Sequence, residues 1–195
     1  MSGLLIAAPL RIEAALISAG ARQARVRKTG MGTAKAKASA PRLAWEAADR
    51  LLVLGFCGGL DEGSMPGEVI VAERVYAASD EGHAEMLVQC PHAHELIGLL
   101  AGRGMKVRNG PIVCVSRLAL GERRSELHAQ GAIAVDMESV WLAPAAGERP
   151  FGVVRVVLDS PSHELMRPRA AIGALRAAWA LRNVAGALHE WMPGG

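Results

Sequence analysis

Three acidic side chains stand where a short apolar run gives way to a polar turn: Glu13 beyond Leu4 to Ala8, Glu138 beyond Ala132 to Val135, and Asp159 at the end of Val153 to Leu158. In open α/β sheets the ligand lies beyond the carboxyl ends of strands, so residues in such places are the ones to weigh for chemistry. Asp159, just before Ser160-Pro161, is placed to protonate or hydrogen-bond a leaving-group nitrogen, the help a purine needs to depart from a sugar. Read alone, an aspartate before Ser-Pro is also a good loop cap. Asp136-Met137-Glu138-Ser139 offers two carboxylates, and a carboxylate can accept both hydrogen bonds of a vicinal diol. Asp136 is expected instead to cap a helix starting near Glu138, which leaves Glu138 for the ligand. In Pro9-Leu10-Arg11-Ile12-Glu13, Glu13 could activate water and Arg11 could hold a phosphate, and these are two different reactions. The fourth place is Gly55-Phe56-Cys57-Gly58-Gly59, where glycines let backbone approach a flat ligand but equally make an ordinary turn.

The elements that must position these groups alternate. Leu4 to Ala8 reads as a buried strand, Ile12 to Ala19 as a helix, and Arg25 to Thr29 as a second strand closed by Gly30-Met31-Gly32. Thr33 is expected to cap a helix to about Ala48, and the apolar run Leu51 to Leu54 to be a central strand ending in a glycine-rich loop. Strands at Glu68 to Glu73, Ile112 to Val115, Ala132 to Val135 and Val153 to Leu158 are interleaved with helices at His94 to Leu100, after Gly121, at Glu138 to Ala146, and from about Ala170 to Trp191. The expectation is an α/β chain folded as one domain over residues 1–195, a three-layer αβα sandwich with a mixed central sheet.

Hydrophobic types make up 51% of the 195 residues, enough for a large core. No run approaches the roughly 20 apolar residues of a membrane span, and the first residues lack the pattern of a secretory leader. Cys57, Cys90 and Cys114 are an odd, widely spaced set that argues against a disulfide framework, so a cytoplasmic setting is expected. A net charge of +3 with few aromatics does not point to nucleic acid. The basic group Arg22, Arg25, Arg27, Lys28, Lys35, Lys37 is explained most simply as a solvated face. Cys90, His92 and His94, with His83 upstream, raise the question of a metal, but their spacing matches no common zinc pattern. No metal is therefore expected.

Taken in order, these places resemble the superfamily of the purine nucleoside phosphorylases and methylthioadenosine/S-adenosylhomocysteine nucleosidases. Leu52-Val53-Leu54-Gly55-Phe56-Cys57-Gly58-Gly59-Leu60 followed by Pro66-Gly67-Glu68-Val69-Ile70-Val71 is similar to the family's strand, G-x-A-G-G-L and G-D-V-V-V. Cys57 replaces the usual alanine and Glu68 the usual aspartate. Ala134-Val135-Asp136-Met137-Glu138-Ser139 resembles the ribose-binding V-D-M-E segment, Arg155-Val156-Val157-Leu158-Asp159 the R-x-x-S-D that ends in the purine-contacting aspartate, and Thr29-Gly30-Met31-Gly32 the T-G-M-G turn. Leu158 stands where many relatives have serine, and the chain is short in the region after Ser116.

The resemblance implies a nucleoside phosphorylase-like fold and cleavage of the N-glycosidic bond of a purine nucleoside with a 5′ substituent, adenine being the expected base. Asp159 and Glu13 would be catalytic, and Phe56, Cys57, Gly58, Gly59, Met137 and Glu138 would bind substrate. No cofactor is implied. If phosphate rather than water takes the sugar, inorganic phosphate is a co-substrate, with Arg11, Gly32 and Thr33 as its binding residues. Homo-oligomers are common in the family. The segments around Glu138 and Glu13 are most similar to the hopanoid-pathway enzymes that remove adenine from adenosylhopane, and the reduced covering over the 5′ side would suit a bulky substituent. A nucleoside-binding module without catalysis is the alternative of another class.

Overall fold

The computed structural model describes residues 3–78, 84–163 and 170–191. β1 (Leu4–Ala8) is buried along its whole length, and its continuous apolar run is what a strand covered on both faces requires. It pairs in parallel with the exposed edge strand β2 (Arg25–Lys28) on one side and with β3 (Arg50–Gly59) on the other. β3 continues in parallel with β8 (Phe151–Asp159). β8 then runs antiparallel to β4 (Val69–Ala78), which pairs with β5 (Ala84–Gln89) and with β6 (Val107–Cys114). The short β7 (Ala134–Asp136) joins β6 back to the far end of β3 through Gly58 and Gly59. The mixed sheet therefore closes a ring through β3, β8, β4, β6 and β7, with β1 and β2 extending it on one side.

Alternate residues of the strands feed two cores, as the two-residue period of a strand dictates. Leu4, Ile6, Leu52, Leu54, Val154 and Val156 face α1 (Arg11–Gly20), α3 (Ala93–Gly102) and α6 (Ala170–Leu188). Leu5, Ala7, Leu51, Val53 and Val153 face α2 (Thr33–Ala44), α5 (Ser139–Leu142) and the 3₁₀ turn Ala143–Ala146. This is the three-layer αβα arrangement expected. Leu127 of α4 (Glu122–Ala129) packs with Leu60, Val113 and Val135 in a third, smaller cluster.

Several boundaries differ from the sequence expectation for identifiable reasons. Gly55 to Gly59 is strand, since β3 runs on to Gly59 with a register irregularity between Cys57 and Gly58. Thr33 is the first helical residue and caps nothing; Gly32, at φ 92°, is the N-cap and has no side chain to do so. The helix ends at Ala44, short of Ala48. The helix expected over Glu138 to Ala146 is one α turn followed by a 3₁₀ turn, because Pro144 has no amide for the helical bond and its ring clashes with the preceding turn. β5 has no counterpart in the sequence reading. Arg25 and Arg27 of the basic group pair with Glu46, and Lys37 lies 3.8 Å from the centroid of the Trp141 ring.

α1 and α6 approach closely because Gly20 presents only hydrogen to the α6 backbone. A Cβ there would collide with the carbonyl oxygen of Arg182 and stand 3.1 Å from the Ala185 side chain. In an open helix Gly→Ala gains about 0.5–1 kcal/mol, but a backbone collision cannot be relieved by a rotamer. Gly20→Ala is therefore expected to destabilise the fold by about 1–3 kcal/mol, read as a lower urea midpoint at unchanged slope. A raised midpoint would show that the helices can separate freely.

Candidate active site

At the carboxyl ends of β1, β3, β7 and β8 lies a cavity of about 340 Å³ whose wall includes Glu13, Glu138 and Asp159 together with Phe56, Cys57, Gly58 and Met137. Pro9, Leu10, Met31, Val115, Leu118 and Leu158 make the rest of it largely apolar.

Glu13 is buried in the first turn of α1, with both oxygens held by backbone. One accepts the Leu10 amide at 2.5 Å, the reach back to the N-cap that a glutamate at the third helical position makes, and the other accepts the Phe56 amide at 2.7 Å. A carboxylate offers about four lone pairs, so acceptor capacity is left for the cavity. Burial pushes the Glu13 carboxyl up, against the lowering effect of Arg155.

Glu138 bridges the site. One of its oxygens accepts the Gly32 amide at 2.8 Å, tying β7 to the turn before α2, and the other faces the Arg155 guanidinium at 3.5 Å. Beneath it, Arg155 is fully buried in the middle of β8 and meets Asp136 at 2.5 Å, with Ser139 Oγ at 2.9 Å. Asp136 also accepts the amides of Glu138 and Ser139 and the Cys114 thiol. That is the capping role expected of it, and burial holds the Cys114 thiol in its protonated, donating form. Burial drives the Glu138 carboxyl up to about 7, opposed by Arg155 and reinforced by the charges of Asp136 and Glu13.

Asp159 ends β8, and its carboxylate accepts a hydrogen bond from Arg124 of α4 at 2.6 Å. Arg124 is buried and fixed by the carbonyls of Ala119 at 2.9 Å and Gly59 at 3.3 Å. The sequence reading assigned Arg124 nothing, since Glu122-Arg123-Arg124-Ser125 looks like a solvated helix start.

Of the other residues singled out, Gly59 lies outside the cavity wall, its α-carbon packed against Ser64 and Ser160. Arg11 is solvent-exposed and Thr33 half-buried, both outside the wall, and the Gly32 amide is occupied by Glu138. The three residues expected to hold a phosphate are thus not gathered into one site, because Arg11 lies on the outer side of α1. Cys57 lines the cavity, and burial pushes its thiol up. No group of three potential metal ligands is gathered among the described residues; His92 packs against Trp191 and Glu95, and His83 lies outside the described residues. Among them, too, no helix is long and apolar enough to cross a membrane.

The family model described as the phosphorylase superfamily matches residues 11–186. The chain belongs to this superfamily. With it comes the class of chemistry, that of the nucleosidase and nucleoside phosphorylase enzymes. Comparison with the curated protein sequences finds no match. Among solved structures, the fold is similar to futalosine hydrolase of Helicobacter pylori, with a TM-score of 0.78 at 14% identity over 96% of this chain and 95% of the other. It is also similar to the 5′-methylthioadenosine/S-adenosylhomocysteine nucleosidase of Neisseria meningitidis in complex with methylthio-immucillin-A, with a TM-score of 0.76 at 18% identity over 98% and 100% of the two chains. The H. pylori nucleosidase gives 0.77 at 14% identity, covering 95% of each. At such identities the likeness carries the superfamily fold and leaves the substrate to the site itself.

The charge balance of the site has a measurable consequence. The folded Glu138 carboxyl binds its proton up to about pH 7, against 4.5 as the ordinary value, so between these limits the folded state holds more protons than the unfolded chain. Stability from this group is then present at low pH and lost as pH rises through about 7. Relative to Glu138→Gln, the unliganded wild-type protein is expected to lose unfolding free energy steadily from about pH 4.5 to about pH 7 by urea titration. A constant difference between the two across that range would sink this reading of the charge cluster.

Proposed function

We propose that this chain is a nucleosidase that hydrolyses the N-glycosidic bond of a purine nucleoside, adenine being the base, with an apolar 5′ substituent. The observation that carries the reading is the convergence of Glu13, Glu138 and Asp159, from three separate strand ends, on one cavity. In this reading Glu138 receives the ribose hydroxyls, with Met137 beside the sugar, and Asp159 meets the base. Glu13, with both oxygens oriented by backbone amides, takes a proton from water as the water oxygen bonds to C1′. Hydrolysis is favoured over phosphorolysis because Arg11 is turned to solvent and the Gly32 amide is already engaged. The apolar substituent is supported by the cavity lining and by Met31 and Leu118, which line the cavity while remaining 50% and 73% exposed. The adenosylhopane-like substrate suggested by the sequence resemblance has this chemistry.

The test is adenine release from a panel of 5′-substituted adenosines with and without phosphate. Release independent of phosphate is expected, rising with the apolar bulk of the substituent. Glu13→Gln should lower kcat by about 100- to 10,000-fold with little change in KM. Strict dependence on phosphate would make the enzyme a phosphorylase, and nucleoside binding without release would favour the non-catalytic module.

A further inference from the structure

α6 is apolar on two opposite faces. Its inner face, with Ala177, Leu181, Val184, Ala185 and Leu188, is buried against the sheet and its neighbouring helices. Its outer face carries Ile172, Leu175 and Trp179, spaced i, i+3 and i+7 and left 58%, 72% and 71% exposed. A helix that covers a sheet needs one apolar face, so packing of the fold does not account for the second. The patch continues beyond the helix. Met65 is exposed in the turn between β3 and β4, and the Pro66 ring lies beside Gly173, where a Cβ would stand 3.1 Å from it. Pro66 shares a shallow groove with Leu175 and Trp179.

The charges around this patch favour one sign. α6 contains Arg176 and Arg182 and no Asp or Glu. Both arginines are solvent-exposed, and neither makes an ion pair among the described residues. Trp179 also borders a groove of about 880 Å³, to which Arg103, Lys106 and Arg182 contribute. Arg103 is paired with Glu190 at 2.6 Å, and Glu68, the acid of that groove, faces Arg108 at 3.4 Å. Lys106 and Arg182 are left there without a counterion among the described residues.

We propose that the outer face of α6 docks on an anionic lipid bilayer, with Ile172, Leu175 and Trp179 entering the headgroup boundary and Arg176, Arg182 and Lys106 meeting lipid phosphates. An apolar stripe flanked by cations is the pattern of helices that lie in a membrane surface, where binding combines buried apolar area with attraction to anionic lipid. The amphipathic indole of an exposed tryptophan suits that boundary. A second copy of this chain suits the face poorly. In an antiparallel pairing of α6 about Trp179, Arg176 of one copy would meet Arg182 of the other, and α6 offers no carboxylate to either. A substrate with an apolar 5′ substituent partitions into the same surface, so docking serves the nucleosidase reading without resting on it.

The full chain is centrifuged with vesicles of phosphatidylglycerol and, separately, of phosphatidylcholine. Co-sedimentation with phosphatidylglycerol is expected, weakening as salt is raised, and much less with phosphatidylcholine. Arg176→Gln and Arg182→Gln should each lower the partition coefficient about fivefold, and Trp179→Ala about tenfold. These side chains are exposed, so the variants should keep their fold. Trp45→Ala, at a 91% exposed tryptophan that ends α2 on the other side of the sheet, should bind as the unaltered chain does. No co-sedimentation with phosphatidylglycerol would overturn the proposal, as would binding left unchanged by Trp179→Ala and by the double arginine variant. A self-associated chain that Trp179→Ala dissociates, with no vesicle binding, would overturn it too and make the face an interface between copies.

Discussion

A guanidinium buried at the centre of a sheet must be surrounded by carboxylates, and much of this site follows from how Arg155 is neutralised. Taking such an ion out of water costs several kcal/mol even after relaxation, so its partners must be close and well oriented. Asp136 meets it at 2.5 Å, Glu138 at 3.5 Å, and Ser139 Oγ fills the remaining space. To bring those groups there, β7 must end at Asp136 and the chain must turn at once into α5, whose first amides Asp136 also receives. The constraint reaches β3 as well. Gly55 lies across from Arg155 in the ladder, and a Cβ at that position would stand 2.7 Å from Glu13 Oε1 and 2.8 Å from Arg155 Nη1. Any larger residue at Gly55 would press on both of these side chains.

This dependence explains which parts of the molecule were legible in its sequence. The apolar runs of β1, β3 and β8 announced themselves because buried strands need continuous hydrophobicity, and Glu13, Glu138 and Asp159 stood out because each follows such a run. Arg155 carried a readable signal too, as the lone charge inside Phe-Gly-Val-Val-Arg-Val-Val-Leu, where a cation on a central strand has to be paired within the fold. Its partners could not be named, since they lie 16 to 19 positions back, at the end of β7 and the start of α5. Arg124 was less readable still. One of three charged residues in succession, it looks like surface until the packing of α4 against the end of β3 buries it. The extension of β3 through Gly59 was hidden for a different reason: glycine disfavours strand, and only the pairing of Gly58 and Gly59 with β7 and of Gly58 with Asp159 overrides that preference.

The loss of a hydroxyl at Leu158, relative to the pattern this segment resembles, is answered by the same packing. A serine there would offer Asp159 one neutral hydrogen bond. Arg124 supplies a charged one from a different element, and Leu158 adds its side chain to the apolar wall. In this chain the support of Asp159 comes from α4, and it depends on the loop before α4, where Ala119 O anchors the guanidinium.

Charge within the cavity is consequently divided. Glu13, Asp136 and Glu138 face the single Arg155, leaving that side with more carboxyl groups than cations, and burial answers by holding a proton on Glu138 near neutrality. On the other side Arg124 is balanced by Asp159, so that pair adds no net charge. A glycosidic bond that breaks heterolytically generates a cationic sugar, and the field of an excess of carboxyl groups favours that charge over the uncharged nucleoside; only interactions stronger in the transition state accelerate the step. The field is fixed before substrate arrives, because every group that makes it is tied to backbone or to a buried partner. A pair of acids could have been placed on any α/β scaffold; what distinguishes these acids is that a buried arginine or a pair of backbone amides holds each of them in place.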